Sequence, residues 1–538
     1  MEVFQVVIAL LIGGAALAAL ARRIGAPYPA LMALAGAGLA LIPGTPTLVL
    51  DPELALALFV APVLEDAAFG ASPRDLRTNW RPIASLALGA VALTVVVVAV
   101  VVRALVPEMP WAAAIALGAI VAPPDAAAAT AVLRQLRPPH RLLVILEGES
   151  LVNDASALLI YRLAVGATVA GAISGWSVMP TLLLVTLGSI VLGLVLSRIA
   201  LAVNARIRDI ATAVIVQFCN TFGVWIVAER LHLSGIITMV VFAMAVAKRA
   251  PGILPARIRV PAWAVWEVAV FVLNVLAFIL VGFQLKSIAG RASGSTGMRY
   301  LIVASVVCGS VILARIVWVS GVAAISRWYC SLRRNRASLS RVGIELTVRG
   351  AAVVSWAGMR GTVTLAAALA LPTAFPSRDL ILATAFGVTL GTLVLQGMTL
   401  RPLLLFFRLK DDGSVEREVR QARVEAVKAA LAAVAGHSET ETIRFLKQSF
   451  ELQLLRAEKE LAEGMANSEG PAMSAGPQNV DGAAVRAATQ AQRRELMALR
   501  DNKTIGDAAF QQLEEEFDWM ELGWAELLRQ GDRVHEER

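Results

Sequence analysis

Stretches of about twenty predominantly apolar residues recur from the first residues of this chain to about residue 408, more than a soluble core could bury. A bilayer core about 30 Å thick is crossed by roughly 20 helical residues rising 1.5 Å each. The hydrocarbon offers no partners to a bare backbone, so segments of this kind cross as α-helices. Reading for them predicts an all-α, polytopic membrane protein with about thirteen transmembrane helices. Their spans are 3 to 21, 27 to 43, 52 to 71, 82 to 106, 111 to 136, 141 to 170, 177 to 203, 209 to 230, 232 to 248, 262 to 286, 300 to 327, 351 to 373 and 378 to 408. The first resembles a signal h-region but lacks a basic n-region and is long enough to span, so it is read as a retained helix. A charged content of only 17% fits the same class.

Charge divides the chain in two. Residues 1 to 410 carry a net +17 and residues 411 to 538 a net −9, which predicts a transmembrane domain (1–410) and a helical, cytoplasmic, regulatory tail (411–538). The basic residues of the first part lie in short connections between apolar runs rather than in a stripe with aromatics, so the high pI is no sign of nucleic-acid binding. The connections after odd-numbered helices, with their flanks, hold 21 Lys and Arg, and those after even-numbered helices hold 6. By the positive-inside rule the first set is cytoplasmic, which puts the N-terminus outside and the tail inside. The tail reads as helical over about 414–464 and 484–530, separated by NSEGPAMSAGPQNVDG, and EEEFDWMELGWAELL is acidic and amphipathic. Three separated cysteines and four scattered histidines show no ligand spacing, so neither a disulfide framework nor a structural metal site is expected.

With helix 7 as a linker, helices 1–6 and 8–13 start from opposite sides, the pattern of two inverted six-helix repeats. Helices 5 and 12 then correspond, and both are interrupted: helix 5 by Pro123 and Pro124 before Asp125, helix 12 by Gly358 and Gly361 around Arg360. Interruptions at matching places in two halves point to a midplane binding site. Half-helices meeting there present partial positive charge at their N-termini and partial negative charge at their C-termini, which Asp125 and Arg360 could compensate.

Ionisable side chains at bilayer depth are costly, so each is a functional candidate. The densest set is EGESLVNDAS, residues 147 to 156, in helix 6. Ser150 and Asn153 are three apart and Ser150 and Asp154 four apart, so hydroxyl, amide and carboxylate oxygens share one helix face and could replace a cation's hydration shell. Glu65 and Asp66 form a second acidic pair in helix 3. Neighbours on a helix point about 100° apart, so at most one of them faces an ion cavity. Glu229, Glu267 and Arg315 read as polar packing near helix ends.

The segment ESLVNDA resembles the ESLLNDA stretch of the monovalent cation:proton antiporters that include the sodium/proton exchangers. In the same order, APPDAAAATAVL resembles the family's aspartate-containing broken helix, AERLHLSGI its AExxxxSGI stretch, FVLNVLAFILVGFQL its NxxxFxxxG helix and GMRGTVTLAAALALP its GxRGxxxLAxAL helix. The resemblance covers about residues 5 to 408. It implies two inverted six-helix repeats that form a dimerisation part and a mobile core part, with the site where two broken helices cross. It also implies that Asp154 alternately holds cation and proton, that Asn153 stands where electrogenic relatives have a second aspartate, that Ser150 coordinates the cation, and that Glu149 and Arg360 form a structural ion pair. Many members have TDP at the first broken helix. Here the residue before Asp125 is Pro124, which could ligate only through its carbonyl.

A carboxylate that must be neutralised by either a cation or a proton couples the two ions without ATP, and the chain has no GxxxxGK[ST] loop. The expected function is electroneutral exchange of a monovalent cation, Na+ before K+ or Li+, for H+, serving pH and cation homeostasis from the plasma (inner) membrane. The rivals are a K+/H+ exchanger and a non-transporting pH or cation sensor that signals through the tail. Neither enzyme activity nor a cofactor is expected, and the partners are membrane lipid and a second copy in a homodimer.

Overall fold

In the computed structural model the described residues are 2–40, 42, 54, 56–136, 138–170, 175–289, 295–332, 348–409, 413–435 and 440–466, with 494, 498 and 502. They divide into two compact units, Met1–Val415 and Glu416–Arg538. Regular structure among them is entirely helical.

In the first unit α1 (Glu2–Ile24) and α2 (Tyr28–Ala40) form a hairpin turned at Gly25, whose φ of 65° favours glycine. A π-helical turn (Leu56–Val60) leads into α3 (Ala61–Gly70). The short α4 (Pro73–Thr78) is capped by Ser72 and followed by the apolar α5 (Trp80–Leu105). Helix α6 (Trp111–Val121) stops at the two prolines, and α7 (Ala126–Leu136) resumes after them. Helix α8 (His140–Ala170) carries the EGESLVNDAS segment, and α9 (Gly175–Asn204) and α10 (Ile210–Arg230) follow it.

The AERLHLSGI stretch makes the turn from α10 to α11 (Gly235–Ile253). His232, at φ 55°, closes α10 in the left-handed region. Ser234 caps α11 by accepting the Ile237 N–H, while its own N–H donates to Ser189 Oγ at 2.9 Å. Next come α12 (Ala256–Ala289), α13 (Ser295–Leu332), the half-helices α14 (Val348–Trp356) and α15 (Thr362–Leu369), and α16 (Arg378–Phe407). These helices coincide with the predicted spans to within about four residues, except that α11 ends five residues later, α12 starts six earlier and α13 extends five further at each end. Six helices are individually long and apolar enough to cross a membrane, among the described residues.

The largest apolar core lies around the two interrupted helices. Gly118 of α6 lets that helix press on the α5 backbone, since a Cβ would sit 2.8 Å from the Val95 carbonyl oxygen. In the second unit α17 (Ser414–Ala435) and α18 (Glu441–Ala466) are joined by the Arg423–Glu460 and Lys428–Glu458 ion pairs. The stretch read as helical over 414–464 holds both of these helices, the second starting where Thr440 caps the Ile443 N–H. The predicted helix over 484–530, with its acidic amphipathic segment, lies outside the described residues apart from Arg494, Ala498 and Asn502.

Candidate functional site

The two interruptions lie against each other. The Asp125 N–H donates to the Met359 carbonyl at 2.6 Å, which ties the break between α6 and α7 to the break between α14 and α15. Four half-helix ends therefore converge, and the charges are arranged as helix dipoles demand. Asp125 serves the positive ends. Its Oδ1 accepts the Ala127 N–H at 2.9 Å at the start of α7. Its carboxylate also lies against Gly361, just before α15, so closely that a Cβ there would collide with it.

Arg360 serves the negative ends. Its guanidinium is fully buried and donates to the carbonyls of Val121 (2.9 Å), Ala122 (3.1 Å) and Gly358, at the C-termini of α6 and α14. Its N–H donates to Thr392 Oγ1 of α16 at 3.0 Å.

The expected Glu149–Arg360 ion pair does not form. Glu149 pairs instead with Arg315 of α13 in a two-pronged contact of 2.5 and 2.8 Å, and both side chains are at most 2% exposed. Arg315 also donates from Nε to the Val354 carbonyl of α14 at 3.1 Å. Sequence offers two arginines for one glutamate. Arg360 instead turns three of its five guanidinium N–H donors to the bare carbonyls of the broken helices, and Arg315 takes Glu149. Arg315 is therefore no helix-end residue, and its position near the middle of a long apolar run was the available signal. Of the others read as helix-end packing, Glu229 is paired with Arg162, and Glu267 is exposed on α12.

Helix α8 brings its polar residues to this crossing. Asn153 is fully buried and donates from Nδ2 to the Pro124 carbonyl at 3.4 Å, while its Oδ1 has no hydrogen-bond partner among the described residues. The Pro124 carbonyl predicted as a cation ligand therefore faces the amide beside Asp154. Asp154 is 5% exposed, and its strongest electrostatic neighbours are the carboxylates of Asp125 and Glu149. Among the described residues no cationic side chain pairs with it. Ser150, one turn earlier, is half-buried. Asn153, Asp154, Asp125 and Pro124 are thus brought to one place, with an orphaned amide oxygen and an uncompensated carboxylate.

The acidic pair on α3 is split as helix geometry requires. Glu65 is buried and accepts a short hydrogen bond from Thr221 of α10, whereas Asp66 is exposed. Thr221 is not recognisable from the sequence, because a threonine in an apolar run carries no mark of its own.

The transmembrane sodium/hydrogen exchanger family matches residues 6–406. An uncharacterized Na+/H+ exchanger of Mycobacterium bovis is 30% identical over 515 residues, covering 93% of this chain and 92% of its own length. A sodium, potassium, lithium and rubidium/H+ antiporter of Bacillus pumilus is 30% identical over 395 residues, covering 70% of this chain and 57% of its own. The fold resembles that of the sodium proton antiporter MjNhaP1 of Methanocaldococcus jannaschii, with a TM-score of 0.56, 19% identity and coverage of 75% of this chain and 99% of that one. The crossed breaks, the buried asparagine–aspartate pair and the family match over residues 6–406 agree, and the chain belongs to the sodium/hydrogen exchanger family, whose members are multi-pass cation:proton antiporters.

Proposed function

We propose that this protein exchanges Na+ for H+ one for one, with Asp154 as the group that carries either ion in turn. The observation behind this reading is a buried carboxylate that, among the described residues, has no counter-charge, beside an amide oxygen that has no donor among them. A lone carboxylate at membrane depth costs several kcal/mol, which a proton or a bound cation removes. The Asp154 carboxylate, the Asn153 Oδ1 and the Ser150 hydroxyl supply hard oxygen donors suited to a small alkali cation. The Pro124 carbonyl, now held by the Asn153 amide, could join them if that amide turns. Asp125 and Arg360 hold the four helix ends, Glu149 and Arg315 brace α8 against α13, and Asp66 lies where it could meet an arriving cation.

In this reading the thirteen segments all cross the membrane as two inverted repeats, with the N-terminus outside and the acidic tail a cytoplasmic regulator. The protein works as a homodimer in the plasma (inner) membrane, for pH and cation homeostasis. A broader alkali-ion range, with K+/H+ exchange included, is the second reading, and the similarity to the sodium, potassium, lithium and rubidium/H+ antiporter of Bacillus pumilus favours it.

Asn153 does not titrate, so one exchangeable charge at α8 makes the cycle electroneutral. A membrane potential imposed on proteoliposomes without an ion gradient is expected to drive no proton flux. Voltage-driven flux would show a second carboxylate taking part, with Asp125 the first candidate.

A further inference from the structure

Asp154, Leu158 and Arg162 stand four residues apart on α8, on successive turns of neighbouring faces, so Arg162 lies about 12 Å along the helix from Asp154. Val224, Trp225 and Glu229 lie on α10, with Glu229 facing Arg162. Leu158 and Ala155 pack against the apolar cluster that holds Leu64, Val224 and Trp225. Trp225 is backed by Gly235, where a Cβ would come within 3.0 Å of its ring. Beyond this plug, Arg162 Nη2 donates to both oxygens of Glu229, at 3.1 and 3.3 Å. The pair joins two helices whose backbones otherwise hardly approach one another.

The other direction from Asp154 is different in kind. Ser150 and Glu147 are partly exposed on α8, and Asp66 is exposed on α3. The path is thus polar and accessible towards the start of α8, and apolar and bolted towards its end.

We propose that Leu158, Val224 and Trp225, closed over by the Arg162–Glu229 ion pair, form the outer gate between Asp154 and the extracellular side. The gate rests on the exchange and the orientation proposed above. Both members of the pair are about half exposed, with side chains 53% and 41% accessible, so the pair is weak enough to break in every transport cycle. Opening it separates α8 from α10 and turns the site outward, while the apolar plug keeps ions from leaking when it is closed.

The test uses the full chain with Cys219, Cys308 and Cys330 replaced by alanine and with Ala155→Cys as a reporter beneath the plug. A membrane-impermeant thiol reagent is applied to right-side-out and to inside-out vesicles. In the parent background the reporter is expected to react faster from the inner face. Glu229→Gln is expected to raise the outer-face rate about three- to tenfold, the shift that loss of a weak ion pair allows. The swap Arg162→Glu with Glu229→Arg is expected to return that rate towards the parent value, which general loosening of the fold would not do. An outer-face rate that Glu229→Gln leaves unchanged, or that the swap leaves high, overturns the gate.

These labelling arms read accessibility alone, so they decide the gate even if exchange itself fails to be found. In a separate variant, Arg162→Cys and Glu229→Cys joined by a short reducible bifunctional thiol reagent are expected to stop cation-driven proton movement until reductant is added. Continued exchange by the cross-linked protein would also overturn the proposal.

Discussion

Asp154→Asn is expected to reduce cation-driven proton movement to the background of empty vesicles while the protein folds and reconstitutes normally. The amide preserves volume and polarity but can neither take up a proton nor balance a cation. The same change removes a buried charge that has no counter-ion among the described residues, so thermal stability in detergent should equal or exceed that of the parent. An inactive but destabilised Asp154→Asn would mean that Asp154 holds the fold together. An active one would remove Asp154 from the transport cycle.

Arg315→Ala should show the opposite pattern, dominated by stability. It leaves Glu149, 1% exposed, as an unpaired charge among α8, α13 and α14. Breaking a buried pair from one side costs about 3–5 kcal/mol. A markedly lower unfolding midpoint is expected, and adding Glu149→Gln should recover much of it, because the cost lies in the stranded carboxylate rather than in the lost attraction. Arg315→Ala with an unchanged midpoint would show that Glu149 is neutralised by another route.

Much of this was legible in the sequence, because lipid leaves an apolar run one option and prolines or glycines in mid-run have to interrupt it. Pro123, Pro124, Gly358 and Gly361 marked both breaks, and Asn153 and Asp154 stood out as polar residues in a helix that had to be buried. Partner choice was not legible. The resemblance gives Glu149 to Arg360, and Arg315 reads as helix-end packing, because nothing in the sequence shows that Arg360 turns to the orphaned carbonyls of Val121, Ala122 and Gly358. Nor could sequence say which of Glu65 and Asp66 is buried. That follows from where Thr221 of α10 lies against α3, a contact between residues 156 positions apart.

Cation-driven proton movement in a purified system tests the exchange claim most directly. Proteoliposomes containing the full chain, loaded with a pH-sensitive dye at acidic internal pH, receive an external pulse of Na+ and, separately, of K+, Li+ and choline. The expected result is rapid internal alkalinisation with Na+ that saturates with concentration, is absent with choline and is absent for Asp154→Asn. No proton movement with any alkali cation, from protein shown to be folded and inserted, would contradict exchange and leave an ion-binding sensor in its place.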